Sequence, residues 1–329
     1  MPLRKFLLTF DTEDFISDNS VPVLHWILER LKKHDLEALF FVTGHIAETL
    51  QNFPTVIDLV TEHQIGYHAS SHSVHPAIFE FTDVEDYKEA YKNSLERETA
   101  HINPCTGEIE GKGGILALKR LFHRKHIESF RAPGHCWTPP HLEALKTLGI
   151  NFDFSTDLSS TPINFKDTTF YPYPVLGHWE GKAWEQRLLL ASILKKKLIV
   201  LTCHPSLLVN KTGWDSIYFD SNPKTLTPPP PRNPAEARHL LHNFDSLLSN
   251  ISKLRKMQII DTTPKLESTN TALKLNESGI RECYNWSMRW AIDLHHHPKF
   301  IFGHFLQYFK QTRSNATRSD FEQRILSKG

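Results

Sequence analysis

Short runs of β-branched and aromatic residues alternate with longer amphipathic stretches through the first two thirds of the chain. This alternation constrains the fold more than any other feature. LRKFLLTF, EALFFVTG, QIGYHAS, IESFRAP, INFDFST, TFYPYPVL, KKLIVLTCH and, last, MQIIDTT read as strands. VPVLHWILERLKKH, AETLQNFPTVIDLVTEH, DVEDYKEAYKNSLERETAH and PPHLEALKTLG carry apolar residues near helical spacing, with Pro or Gly at several boundaries. Repetition of strand and helix builds a parallel sheet or barrel covered by crossover helices, so the fold class is α/β.

NPCTGEIEGKGG reads as a loop, and SNPKTLTPPPPRNP as an extended segment that cannot be a central strand. Past Pro264 a polar linker, LESTNTALKLNESG, leads to aromatic helical segments around CYNWSMRWAIDL and FIFGHFLQYFKQT. The expected division is a barrel over 1–268 and a helical appendage over 269–329. Such aromatic faces need burial, against the barrel or against a second copy of the chain.

The 329 residues are 40% hydrophobic and 23% charged, which excludes disorder and low-complexity scaffolds. With 38 Lys+Arg against 37 Asp+Glu the net charge is +1, so nothing in bulk electrostatics draws the chain onto nucleic acid. No apolar run approaches the roughly 18–20 residues that span a bilayer. The opening MPLRKFLLTFDTED meets Asp11 after a short apolar stretch and lacks a small-residue cleavage site, so no signal peptide is read. Cys105, Cys136, Cys203 and Cys283 are far apart, as reduced thiols are, and a cytoplasmic location is expected. The sequons at Asn210, Asn250, Asn276, Asn285 and Asn315 are discounted accordingly.

In a parallel barrel, functional groups gather at the carboxyl ends of strands. Those ends carry Asp11, Glu13 and Asp14; His68 and His72; Arg131 before Ala-Pro-Gly134; Asp153 and Asp157; and His204. Two histidines four apart plus a carboxylate make an N/N/O set suited to a divalent metal such as zinc. Each residue alone has a blander reading: helix-capping acids, a surface arginine, a core histidine, turn aspartates. Cys203 and His204 cannot form a dyad on an extended strand, because neighbours point to opposite faces. His295-His296-His297 reads as a solvated helix end, and the i, i+4 pair Trp286 and Trp290 as a packed helix face.

Taken in order, LTFDTED, QIGYHASSH, FRAPGH, LGINFDFSTD and LTCH resemble the five motifs of the polysaccharide deacetylases, the NodB-homology enzymes of carbohydrate esterase family 4. ALFFVTG is similar to the family's second strand. The resemblance spans about residues 3 to 264 and implies a distorted barrel of about seven parallel strands. It further implies metal-dependent hydrolysis of an N-acetyl group. Asp11 would be the catalytic base, Arg131 its support, and His204 the general acid. A backbone N–H near Gly134 would belong to the oxyanion hole, and Asp153, rather than Asp157, would orient His204. His68 and His72 would bind the metal, since Ile65-Gly66-Tyr67-His68 aligns with the family's I-G-x-H; His75 is then a loop or surface residue. The usual metal-binding Asp directly after the base is Thr12 here, so the metal carboxylate falls to Glu13, preferred, or Asp14. Ala69 replaces a usual Ser or Thr. The implied partner is a small-molecule or glycan-precursor substrate. An amidase of non-sugar compounds and a non-catalytic carbohydrate-binding barrel are the alternatives.

Overall fold

Arg4–Thr12 form β1, which is buried from Phe6 onward because neighbours cover both of its faces. The computed structural model describes residues 3–309 apart from 14–16, 18, 177, 214, 215, 217 and 219–221. Helix α1 (Ser20–His34) follows, burying Val23, Leu24, Ile27, Leu28 and Leu31 along one stripe. Next come β2 (Leu39–Val42), α2 (Gly44–Leu50), α3 (Pro54–Thr61) and β3 (Gln64–Tyr67). The stretch expected as one helix is two, because Pro54 cannot continue a preceding helix and starts the next. Then follow α4 (Ile78–Phe81), α5 (Tyr87–Glu98), β4 (Ala100–Ile102), β5 (Ile109–Lys112) and α6 (Ile115–Leu121).

β4 and β5 pair antiparallel, which corrects the reading of NPCTGEIEGKGG as a loop. All four β5 residues are exposed, so the hairpin lacks the apolar alternation that betrays a strand.

The remaining elements are β6 (Ser129–Phe130), α7 (Pro139–Thr147), β7 (Phe152–Asp153), β8 (Ile163–Phe165), β9 (Thr168–Phe170), α8 (Ala183–Lys195), β10 (Leu198–Cys203), α9 (Pro234–Lys256), β11 (Ile260–Asp261) and α10 (Glu277–Asp293). The sheet order is β10-β1-β2-β3-β6-β7-β9-β8, with β11 also beside β1. Every pairing is parallel except that of β8 with β9. Past β9 the chain crosses to β10, where Val175 N–H donates to the Val200 carbonyl (2.8 Å) and Trp179 N–H to that of Thr202 (3.1 Å). The sheet thus curls until its ends approach, as expected of a distorted (β/α) barrel.

Strand alternation sorts the core into two layers. Leu7, Leu39, Phe41, Phe152, Phe154, Leu198 and Val200 fill the inside of the curl. Phe6, Leu8, Phe10, Phe40, Phe130 and Cys203 face the helices. By this parity Thr9, Asp11 and Glu13 follow Leu7 inward, and His204 follows Leu198 and Val200.

Residues beyond 268 lie against the same core. Asn164 of β8 donates to the Thr271 carbonyl (2.7 Å) and accepts from Leu273 N–H (2.8 Å), so the polar linker is pinned along an edge strand. Helix α10 starts at Asn276, whose side chain caps Gly279 N–H, and buries Ile280, Cys283, Ser287, Met288 and Ala291. In the helical segment 301–309, Phe305 packs on Trp137 (5.0 Å between centroids), and Tyr308 and Phe309 on Phe165 (5.1 and 4.8 Å). No helix among the described residues is long and apolar enough to cross a membrane.

Candidate active site and metal centre

Asp11 leaves β1 on its inward face and meets Arg131, which leaves β6 at the same level. The guanidinium donates from Nη1 to Asp11 Oδ1 (2.6 Å) and from Nη2 to Thr9 Oγ1 (3.0 Å). Its carbon lies 4.4 Å from the ring centre of Phe41 and 5.7 Å from that of Phe154. Burial alone raises the Asp11 carboxyl, but the charge of Arg131, then those of His68 and His204, outweigh it and hold the group below the usual carboxylate value. Asp11 is therefore ionised and fixed in direction.

Glu13 Oε2 lies 3.0 Å from His68 Nε2 and 2.9 Å from His72 Nε2. All three residues are buried. His68 ends β3, and Ala69, in the left-handed region at φ 66°, turns the chain so that His72 comes back beside it. His68 Nδ1 donates to the Arg131 carbonyl (2.6 Å), which leaves Nε2 as the nitrogen that faces Glu13. A lone pair and a carboxylate oxygen at 3.0 Å repel unless a proton or a cation lies between them. The donor set fits a divalent metal by that test. Burial pushes the Glu13 carboxyl up, but His72 and His204, together with bonds from His68 and His72, hold it well below the usual carboxylate range. Asp14, the alternative carboxylate, lies outside the described residues. Thr12 is turned to the helix side by strand parity, so a ligand following Asp11 on the same face must stand two residues on, at Glu13.

His204 extends β10 and points Nε2 at Asp11 Oδ2 (3.6 Å) and Glu13 Oε1 (3.7 Å). Its side chain is 17% exposed, the most open of the cluster. The residue beside its other nitrogen is His178, with Nδ1 to Nδ1 at 3.0 Å. Burial, followed by the charge of His204, pushes His178 down to about 3, so it is neutral and can accept a hydrogen bond from His204.

Asp153 does not orient His204. It shares the helix-side face of β7, opposite Phe130 in register, and its carboxylate accepts from Ser155 N–H (2.8 Å) and Oγ (3.0 Å). Ser155 Oγ in turn accepts Ala132 N–H (2.8 Å), so Asp153 props the turn after Arg131. Burial pushes its carboxyl up to about 7, against the Ser155 bonds and Arg131. Asp157 is exposed.

Gly134, at φ 55°, sits in the tight turn Pro133–His135; the turn's bonds use the amides of His135 and Cys136, leaving that of Gly134 outside both. A Cβ at Gly134 would meet the Trp290 indole at 2.7 Å, so only glycine lets α10 come this close. The same indole lies 5.8 Å from the His72 ring and 5.8 Å from Phe79. Trp286 packs edge-on against Tyr173 (4.9 Å), under the Arg289 guanidinium (3.6 Å). The packed helix face thus stands beside a metal-ligand candidate. His295 and His297 are exposed; His296 leans on Phe79 (5.0 Å). His75 is a tie between loops: Nδ1 pairs with Glu80 (2.7 Å) and Nε2 donates to the Tyr218 carbonyl (2.7 Å). Cys203 is buried among apolar neighbours, which raises its thiol and leaves it inert.

Sequence reasoning missed two supporting residues. His178 lies two residues past the end of the strand reading TFYPYPVL and was within reach of the strand-end rule. Glu98 carried no such signal. This buried carboxylate accepts from Tyr67 OH (2.5 Å), Ser70 N–H (2.9 Å) and His141 Nε2 (2.8 Å), and so clamps the turn between His68 and His72.

Fold and site together define a parallel α/β barrel with a His-His-carboxylate cluster and a buried Asp–Arg pair at its carboxyl mouth. The polysaccharide deacetylase family model matches residues 2–152, and this match supports that family for the chain. Among solved structures it is similar to one described as a polysaccharide deacetylase from Mycobacterium smegmatis, at 17% identity and TM-score 0.43, covering 81% of this chain and 95% of that one. A family 4 carbohydrate esterase from Bacillus anthracis is 17% identical, with TM-score 0.36 and coverage of 76% and 81%. One from Streptomyces lividans in complex with acetate is 12% identical, with TM-score 0.38 and coverage of 76% and 90%. A search of curated proteins gave no match. The fold assignment rests on the chain's own strand order, not on these distant likenesses.

Proposed function

We propose that the protein is a metal-dependent hydrolase that removes the N-acetyl group from a sugar or glycan precursor. The observation that carries this reading is one ionised, arginine-clamped carboxylate, Asp11, beside the convergent donors Glu13, His68 and His72, with His204 facing both carboxylates. Those three donors would hold a zinc-class cation, which when bound polarises an amide carbonyl and lowers the pKa of water toward about 7.

Asp11 takes the proton of the attacking water at Oδ2, the oxygen that Arg131 Nη1 does not engage. His68 and His72, with Glu13, would hold the cation by keeping their Nε2 atoms directed at one point beside Asp11. The Gly134 amide supplies a hydrogen bond to the developing oxyanion. His204 passes its Nε2 proton to the leaving amine and keeps its Nδ1 proton, which stays hydrogen-bonded to neutral His178.

Acetate release from a panel of N-acetylated mono- and oligosaccharides, with and without a chelator, tests the reading. Chelator-sensitive release on a sugar is expected. Release only from non-sugar amides would make the chain an amidase, and sugar binding without any release would make it a binding barrel; either result overturns the proposal.

A further inference from the structure

A second cluster of metal-type donors lies on the same rim, where α2 meets the β4–β5 hairpin. His45 and Glu48 stand one turn apart on α2, and His101 reaches them from β4. His101 Nδ1 is 2.7 Å from Glu48 Oε2, and the two imidazoles stand edge to face with centroids 5.7 Å apart. One ligand atom from each of the three residues falls within 4.8 Å of the others; among the described residues only Glu13, His68 and His72 form another such group. On the far side of His101, Glu110 Oε2 lies 3.9 Å from Nε2.

The geometry points to a second divalent-cation site, distinct from the first, in which His45, Glu48 and His101 bind a zinc-class ion. Two imidazoles and carboxylate oxygen are the donors such borderline ions select. The three ligands come from two separate elements, so a bound ion would staple the hairpin to the helix.

Burial supports an ion rather than a mere surface ion pair. His45 is buried, while the Glu48 and His101 side chains are 26% and 32% exposed, giving a fixed wall and an open mouth for exchange. Gly113 makes the closure possible. A Cβ there would lie 2.8 Å from Glu48 Oε1 and 2.7 Å from His101 N, so any other residue would push the hairpin off the carboxylate. The guanidinium of Arg97, an opposing charge, is turned toward the carbonyls of Gly107 (2.8 Å) and Pro76 (2.9 Å). Glu48 and Glu110 offset a divalent charge.

The site is wired to the first. Gly44 N–H donates to the Ala69 carbonyl (3.0 Å) and His45 N–H to that of Ser70 (3.2 Å), inside the loop that carries His68 and His72. An ion on α2 would therefore stiffen the support of that loop while taking no part in the proposed reaction.

Zinc titration of the metal-stripped full chain, read by bound zinc and by thermal melting, tests this. The wild type should bind two zinc ions. H68A should keep one, and H68A/H101Q and H68A/E48Q should bind none, with the zinc-induced rise in melting temperature seen in H68A absent from both double variants. If H68A binds no zinc, or binds one that neither H101Q nor E48Q removes, the inference is overturned. Failure of the active-site reading looks different: H101Q would then hold no zinc that H68A can remove. Chelator-treated H101Q and E48Q, which carry no ion, provide the melting baseline that separates loss of metal from loss of the His101–Glu48 hydrogen bond.

Discussion

Arg131 Nη1 donates to Asp11 Oδ1 at 2.6 Å, with both side chains almost wholly inaccessible to solvent. This one bond sets the charge and the direction of the carboxylate. Asp11→Asn keeps the shape but loses the proton acceptor. It should retain bound metal and lose activity by on the order of a hundredfold or more, the usual scale for removing a general base. Acetate release alongside metal analysis checks it, and a variant with most of its activity intact would refute the assignment.

The paired histidines separate sharply from their neighbour. His68→Ala and His72→Ala should each abolish the metal bound with Glu13, whereas His75→Ala should keep it. Since His75 ties Glu80 to the Tyr218 carbonyl, its loss should register in melting temperature instead, by about 1–3 kcal/mol of stability for the carbonyl left unpaired. Equal metal loss in all three variants would contradict the geometry.

Neutral His178 gives His204 an acceptor at Nδ1. His178→Leu should lower kcat by on the order of tenfold with metal content unchanged, and His178→Gln, which restores an acceptor oxygen, should recover part of it. Indistinguishable kinetics for the two variants would remove His178 from the support of His204.

Asp153 supplies a signed pH dependence. Its folded-state value, about 7, lies above the ordinary value of 3.8, so its protonated form is the one the fold favours. Its contribution to stability is complete below pH about 4 and declines by about 1.4 kcal/mol per pH unit up to about pH 7. Asp153→Asn removes the proton exchange while keeping an acceptor for Ser155 N–H. The melting temperature of this variant relative to wild type should therefore rise between pH 5 and pH 8; a difference independent of pH would show that the carboxyl is not perturbed.

The C-terminal helices should behave as part of the barrel. Trp290→Ala opens a space beside His72 and Gly134 and should cost on the order of 2–3 kcal/mol, the scale of a partly buried aromatic truncation. Ending the chain at residue 264 should destabilise it further or expose apolar surface to a dye such as ANS. A truncated protein with unchanged melting temperature and oligomeric state would show that the segment is neither a cap nor an interface.

Much of the site was legible because its residues are local to strand ends. Asp11, Arg131 and His204 each close an apolar run, and strand parity alone places Glu13 on the face of Asp11 and separates Cys203 from His204. What the sequence could not show depends on contacts between distant segments. Asp153 sits one residue from the inward face, and only the register of β7 against Phe130 turns it away from His204 toward Ser155. The β4–β5 hairpin is held by backbone pairing with no apolar side to reveal it.

By itself, then, the sequence determined the alternating α/β order and the inward set Thr9, Asp11 and Glu13, because a period of two is a local property of the chain. Only the tertiary structure decided that His178 meets His204, that Glu98 clamps the His68 turn, that His101 meets Glu48, and that Trp290 closes on Gly134. Those pairs lie 26 to 156 residues apart in the chain. They meet only because the sheet curls and the final helices return to it, and no local pattern encodes the side on which a returning segment docks.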